Sequence, residues 1–176
     1  MKRTWPNLIT LLRLIAVPIF GVVLIVQQQF ISALLIFWIA GISDLVDGWL
    51  ARKTNTVSAL GQIGDPIADK ALTGVAWVGL SVLGLIPWWA TLIILIREVG
   101  ITLWRLTLIH STVIAADKGG KTKTAIQIAV ISLVLMNQEL NLGLVNVFLQ
   151  IMIPLAVVVT VLTALNYILS YRRMSD

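Results

Sequence analysis

Four aspartates stand at spacings suited to metal-assisted chemistry. They occur in Asp44-Leu-Val-Asp47-Gly48-Trp-Leu-Ala51-Arg52 and, after eight residues, in Gly61-Gln-Ile-Gly-Asp65-Pro-Ile-Ala-Asp69-Lys70. On a helix, Asp44 and Asp47 are three apart, and Asp47, Gly48 and Ala51 occupy neighbouring faces. Asp65 and Asp69, four apart, stack on one face of the following helix. A short turn around residues 54–57 makes the two helices antiparallel neighbours, so the four carboxylates converge at one end of the pair. An unpaired charge inside a membrane span costs roughly 3 kcal/mol, and mutual repulsion adds to it, so positive charge must sit among them. Hard oxygen donors at this density suit Mg²⁺ or Mn²⁺, and four carboxylates can bridge two such ions. Two divalent ions in one site are an arrangement for phosphoryl transfer. Gly48 and Gly61 let a phosphorylated group approach the backbone closely, and Arg52 presents a planar, permanently charged fork for phosphate. Ion pairing with Arg52, Lys53 and Lys70 accounts for one aspartate near a helix end. It accounts poorly for four at spacings of 3, 18 and 4 with Gly48 and Gly61 between. A cation or proton pathway of a transporter is a second alternative, although such sites favour the bilayer midplane and broken helices.

A second group of residues is basic. Arg97 and Arg105 are eight apart, close to one face of a helix, and Glu98 beside Arg97 partly neutralises one of them. A buried arginine without an anionic partner is costly, so a phosphate is an attractive partner for it. Lys118, Lys121 and Lys123 form a basic segment just beyond that helix. Read without further context it is a lipid-headgroup patch, worth about 1 kcal/mol per residue beside an anionic leaflet. Asn7 and Thr10, near the first helix start, read as a cap and a turn. His110, the sole histidine, reads as an interfacial hydrogen-bonding group.

The elements that must position these groups follow from composition and charge. Of 176 residues, 59% are hydrophobic and 12% charged, and the mean hydropathy is +0.97. A soluble domain is about half apolar and a quarter charged, so the chain is read as an integral membrane protein. Cysteine is absent, which excludes disulfides and thiolate metal sites. The net charge of +5 reports topology or anionic ligands, with no nucleic acid as partner. Uncharged stretches cover residues 14–43, 71–96 and 140–171. Breaks at Gln27-Gln28-Gln29, at Gly84 before Pro87, and at 137–141 divide the chain into six helices, near 6–26, 30–53, 57–84, 87–110, 122–139 and 143–170. The connections then alternate between basic and uncharged or acidic. Six transmembrane helices with both termini cytoplasmic satisfy the positive-inside rule at each one. The expected fold is therefore all-α and polytopic, a single integral-membrane domain over 1–176. Arg13 interrupts the first apolar run, which reads as a span rather than a leader. Trp5, Trp88 and Trp89 fall at expected interfaces, Trp38, Trp77 and Trp104 are expected in helix packing, and Pro18 and Pro154 are expected to kink spans.

The run Asp44-x2-Asp47-Gly48-x2-Ala51-Arg52-x8-Gly61-x3-Asp65-x3-Asp69 resembles the signature of the CDP-alcohol phosphatidyltransferases at every fixed position. Pro6-Asn7-Leu8-Ile9-Thr10-x2-Arg13, Asp65-Pro66-x-Ala68-Asp69-Lys70, Arg97-Glu98 and Gly120-Lys121-x-Lys123-Thr124 resemble segments of its bacterial phosphatidylglycerophosphate synthase branch. The resemblance runs from about residue 5 to 130 and leaves the last helix generic. It implies that Asp44, Asp47, Asp65 and Asp69 hold two divalent cations, Mg²⁺ or Mn²⁺. It also implies that Asp69 is the base for the acceptor hydroxyl, a choice that spacing alone leaves open. Asn7, Thr10, Gly48, Arg52, Ser58 and Gly61 would contact CDP-diacylglycerol, while Arg97, Arg105, Lys121 and Lys123 would bind the acceptor phosphate. The implied reaction is transfer of a phosphatidyl group to sn-glycerol 3-phosphate, releasing CMP; inositol 1-phosphate is the competing acceptor. The implied setting is a homodimer in the bacterial cytoplasmic membrane, among membrane lipids, with its active site facing the cytoplasm.

Overall fold

In the computed structural model the backbone is described for residues 4–54, 59–107 and 118–175, and the side chains for residues 12, 14–43, 70–104 and 122–170. These residues form helices joined by short turns, with no strand among them. The helices are α1 (Thr4–Gly21), α2 (Phe30–Thr54), α3 (Ala59–Val82), α4 (Trp88–Thr107), α5 (Lys118–Leu140) and α6 (Gly143–Ser175), and a π-helical turn, Val22–Val26, extends α1. The six expected helices are thus present within a few residues of their expected bounds. One difference is that α5 starts at Lys118 instead of near 122, so Gly119-Gly120 are helical. Two glycines read as loop punctuation, each costing about 1 kcal/mol against alanine in a helix. One to two turns later the same helix carries Lys123 and Gln127, which bond to Glu98 and Thr160.

The chain divides into two compact units, Met1–Leu83 and Gly84–Asp176. In the first, α1 and its π turn pack on α3 and α2, and α2 also touches α3. Phe20 from α1, Leu24 from the π turn, Ala33, Phe37 and Ala40 from α2, and Leu72, Ala76, Trp77 and Leu80 from α3 are all buried. The Phe20 and Phe37 rings sit 5.9 Å apart at a tilt of 41°. Lipid tails are as apolar as leucine, so helices in a bilayer gain most from close van der Waals packing at small residues. Gly79 does this here: a Cβ added to it would lie 2.7 Å from Leu24 Cδ2 and 3.2 Å from Ile25 Cγ1. The π turn is closed by the Gln27 N–H donating to Val22 O at 3.1 Å, and Gln28 then turns the chain with φ of 52°.

In the second unit α6 packs on both α4 and α5. Gly84, at φ of 73°, takes the left-handed conformation that ends α3 and leads through Pro87 into α4. Asn137 makes the α5–α6 corner. Its Oδ1 accepts from Leu142 N–H at 2.9 Å, its Nδ2 donates to Asn146 Oδ1 at 2.7 Å, and its carbonyl accepts from Asn141 N–H at 2.9 Å. Asn141 itself stands at φ of 47°.

Within α6, Gly143–Ser170 is long and apolar enough to cross a membrane, with a hydropathy of 2.4; Leu14–Val26, Phe30–Ser43 and Lys70–Val82 are apolar but shorter. Ile39, Ile96, Leu103, Leu144, Ile151 and Leu162 are each more than half exposed. Apolar surface on this scale marks a face covered by lipid or protein. Trp77 is buried and Trp104 packs edge-on against Tyr167, as expected, with ring centroids 5.7 Å apart. Trp38 is a correction: 46% exposed, it lies on the outer side of α2, because the buried stripe of that helix runs through Ala33, Phe37 and Ala40. Trp88 and Trp89 are half exposed at the start of α4, as an interface position requires, and Trp5 and His110 lie outside the described side chains.

Candidate functional site

The buried stripes of α2 and α3 lead to the aspartates. Steps of three and four residues keep to one helix face. On α2 such steps run from Ala33 through Phe37 and Ala40, all buried, to positions 44, 47 and 51, with Gly48 alongside. On α3 the stripe of Gly79, Ala76 and Leu72 runs back to positions 69, 65 and 61. The four aspartate positions therefore continue the packed faces of two helices that touch each other and are joined by four residues. Arg52 follows one position after Ala51, at the edge of that stripe. Asn7 and Thr10 lie on the first turns of α1, and position 10 steps through 13 and 17 to buried Phe20. The side chains of Asn7, Thr10, Asp44, Asp47, Gly48, Arg52, Gly61, Asp65 and Asp69 lie outside the described set, and Ser58 lies outside the described backbone. As a donor set, four carboxylates fit hard divalent cations of the Mg²⁺ or Mn²⁺ type.

The second unit shows its polar group in atomic detail. Apolar seams there also run into polar residues: Ala90 and Ile94 lead to Arg97 on α4, Val134 and Val130 to Gln127 and Lys123 on α5, and Ile153 and Ala156 to Thr160 on α6. Glu98 Oε1 takes both cations. It accepts from Arg97 Nη1 at 3.2 Å and from Lys123 Nζ. Arg97 is held from α6 as well: its Nε donates to Thr160 O at 3.1 Å and its Nη2 to Thr163 Oγ1 at 3.1 Å. Thr163 Oγ1 in turn donates to Thr160 O at 2.9 Å, and Gln127 Nε2 donates to Thr160 Oγ1 at 2.9 Å. Thr102 Oγ1 donates to Glu98 O at 2.6 Å, one turn further along α4.

Burial makes these bonds count. The side chain of Lys123 is 7% exposed, and those of Arg97 and Glu98 are 13% exposed. Arg97, Glu98 and Lys123 thus meet in a largely dry setting, where Coulomb interactions are several times stronger than in water. Arg97 has five N–H donors and three serve these contacts, so one on each terminal nitrogen is unused among the described residues. That arrangement suits a phosphate or carboxylate, which two parallel N–H groups can grip.

Of the four residues expected at an acceptor phosphate, the structure brings Arg97 and Lys123 together, linked through Glu98. Arg105 and Lys121 have helical backbone on α4 and α5, with side chains outside the described set. Glu98 was read as a partial neutraliser of Arg97; it bridges Arg97 and Lys123. Gln127, Thr160 and Thr163 were missed. Their signal was a polar residue on a buried seam, Gln127 one turn after Lys123 and two threonines three apart in the apolar stretch 151–165 of α6.

The profile of the family described as CDP-alcohol phosphatidyltransferase matches residues 3–162. A protein of Mycobacterium tuberculosis named "Probable phosphatidylglycerophosphate synthase" is 40% identical over 167 residues, covering 92% of this chain and 78% of the relative. The "CDP-diacylglycerol--glycerol-3-phosphate 3-phosphatidyltransferase" of Bacillus subtilis is 34% identical over 178 residues, covering 92% of both chains. The human "Cardiolipin synthase (CMP-forming)" is 41% identical over 97 residues, or 54% of this chain and 32% of that protein.

Proposed function

This chain belongs to the CDP-alcohol phosphatidyltransferase family, and from that premise we propose that it transfers the phosphatidyl group of CDP-diacylglycerol to sn-glycerol 3-phosphate. The products are phosphatidylglycerophosphate and CMP, so the enzyme acts in phospholipid synthesis. The observation that carries this reading is likeness along 92% of both chains to a transferase whose name states that donor and acceptor. The buried Arg97–Glu98–Lys123 group supports it independently. Two largely buried cations, Arg97 and Lys123, suit an acceptor that bears a phosphate.

The chemistry is a displacement at the phosphatidyl phosphorus. The acceptor hydroxyl oxygen forms the new P–O bond as the bond to the bridging pyrophosphate oxygen breaks, and that oxygen leaves with CMP. Asp69 takes the proton of the attacking hydroxyl. Asp44, Asp47, Asp65 and Asp69 would hold two divalent cations, Mg²⁺ or Mn²⁺. When bound, these supply charge neutralisation at the pyrophosphate and stabilise the departing phosphate. Gly48 and Gly61 leave room for the donor at the helix backbone, while Arg52, Ser58, Asn7 and Thr10 orient its cytidine and pyrophosphate groups. Arg97, Lys123, Arg105 and Lys121 fix the acceptor phosphate, which turns attack by a dissolved alcohol into attack within a bound pair.

We place the enzyme in the bacterial cytoplasmic membrane as one six-span domain, residues 1–176, with both termini and the active site on the cytoplasmic side, and as a homodimer. The apolar span in α6, the exposed apolar faces and the basic connections support the membrane assignment. The test uses purified protein in detergent with CDP-diacylglycerol, Mg²⁺ and labelled sn-glycerol 3-phosphate. CMP release and a labelled phosphatidyl product are expected in equal amounts; absence of CMP release with any phosphorylated alcohol would defeat the reading.

A further inference from the structure

We propose that the last helix, α6, is part of the acceptor site through Thr163 and Thr160, which act as positioning residues for Arg97. The proposal rests on the reading of Arg97 as an acceptor-phosphate ligand.

Arginine has a long flexible side chain, and holding its fork in one orientation costs rotamer entropy that the surroundings must offset. On α4 alone, Arg97 has only Glu98, its neighbour in sequence, as a partner, and one bond to a single carboxylate oxygen leaves the guanidinium plane free to rotate. The two contacts from α6 remove that freedom. Nε donates to Thr160 O and Nη2 to Thr163 Oγ1, each at 3.1 Å, on the side of the group away from Nη1 and Glu98. Three nitrogens with three partners define a plane.

The hydroxyl of Thr163 is itself oriented. Its proton goes to Thr160 O at 2.9 Å, so its lone pairs are available to Arg97, which can only donate. Thr160, fully buried, is fixed by Gln127 Nε2 on its Oγ1 at 2.9 Å. Gln127 lies one turn beyond Lys123 on α5, so the chain of bonds runs from α5 through α6 to α4 and returns through Glu98 to Lys123. Glu98 fixes the two cations to each other, and Thr160 and Thr163 fix one of them to α6. A phosphate entering this group meets donors already in place, which lowers the ordering cost of binding.

The experiment is steady-state kinetics of the full chain in mixed micelles, varying sn-glycerol 3-phosphate and CDP-diacylglycerol separately. Thr163→Val keeps volume and removes the acceptor for Arg97 Nη2. Its KM for the acceptor alcohol is expected to rise about five- to tenfold, the scale of one lost hydrogen bond, with KM for CDP-diacylglycerol unchanged and Thr163→Ser restoring the parent value. A purely structural role would lower kcat or the amount of folded protein and leave the two KM values alike. Thr163→Ala provides the same comparison should Thr163→Val not fold. An unchanged acceptor KM in Thr163→Val, together with a rise of tenfold or more in Arg97→Ala, overturns the positioning role. An unchanged acceptor KM in Arg97→Ala overturns the underlying assignment of Arg97 instead.

Discussion

Both units run apolar helix seams into polar residues, but they treat charge in opposite ways. In the first unit, the stripes through Ala33, Phe37 and Ala40 and through Leu72, Ala76 and Gly79 arrive at four positions of one sign, Asp44, Asp47, Asp65 and Asp69. In the second, the seams arrive at Arg97, Glu98 and Lys123, where a carboxylate from the chain itself joins two cations and neutral groups of α6 hold Arg97. A cluster of like charges on a packed face needs an outside counter-charge, whereas a cluster with its own counter-ion can stand folded without one. The first arrangement fits bound cations and the second a bound anion. A reaction that joins a metal-stabilised pyrophosphate to a phosphorylated alcohol needs one of each.

The contrast is broken most severely at the aspartates. Asp69→Asn should reduce kcat by about a thousandfold or more, because general-base transfer and a metal ligand are lost together; near-normal turnover would move the base elsewhere. Chelation of divalent ions with EDTA should likewise abolish CMP release, and Mg²⁺ or Mn²⁺ should restore it. Activity that persists after exhaustive chelation would contradict the assignment of the aspartates. Neither treatment should alter the bonds around Glu98.

Glu98→Gln probes the other side of the comparison. Removing the carboxylate leaves Arg97 and Lys123 side by side in a setting only 7–13% exposed. The expected loss is about 2 kcal/mol, under the roughly 3–5 kcal/mol of a fully buried pair because some solvent reaches the group. It should be read as a fall in the unfolding midpoint in detergent. An unchanged midpoint would mean that the cluster is not internally compensated.

The smallest effect is expected where packing alone is at issue. A methyl group at Gly79 meets Leu24 Cδ2 at 2.7 Å, but that atom is the end of a side chain that can shift. Gly79→Ala should cost about 1 kcal/mol of stability and leave kcat and both KM values as they are. A loss of activity without loss of stability would tie the α1–α3 seam directly to the chemistry.

Much of this was legible in the sequence. Helix number and the breaks at Gln28, Gly84 and Asn141 follow from hydropathy and turn chemistry, and the aspartate spacing already placed the acids on helix faces. What the sequence did not disclose was tertiary. Trp38 looked like a packing residue, and only the position of the α2 stripe puts it outside. Gly119-Gly120 looked like a loop, yet they belong to the first turn of α5. The part played by α6 was hidden because Thr160 and Thr163 carry no charge and lie 63 and 66 residues from Arg97. Local pattern has no means of signalling a pairing at that distance.

The central claim is that the acceptor is sn-glycerol 3-phosphate, and its most direct test is competition. Equal concentrations of sn-glycerol 3-phosphate and inositol 1-phosphate, each labelled differently, are offered with CDP-diacylglycerol and Mg²⁺ to the purified protein. Phosphatidylglycerophosphate as the dominant labelled lipid is the expected result. Label appearing chiefly in the inositol lipid would contradict the account.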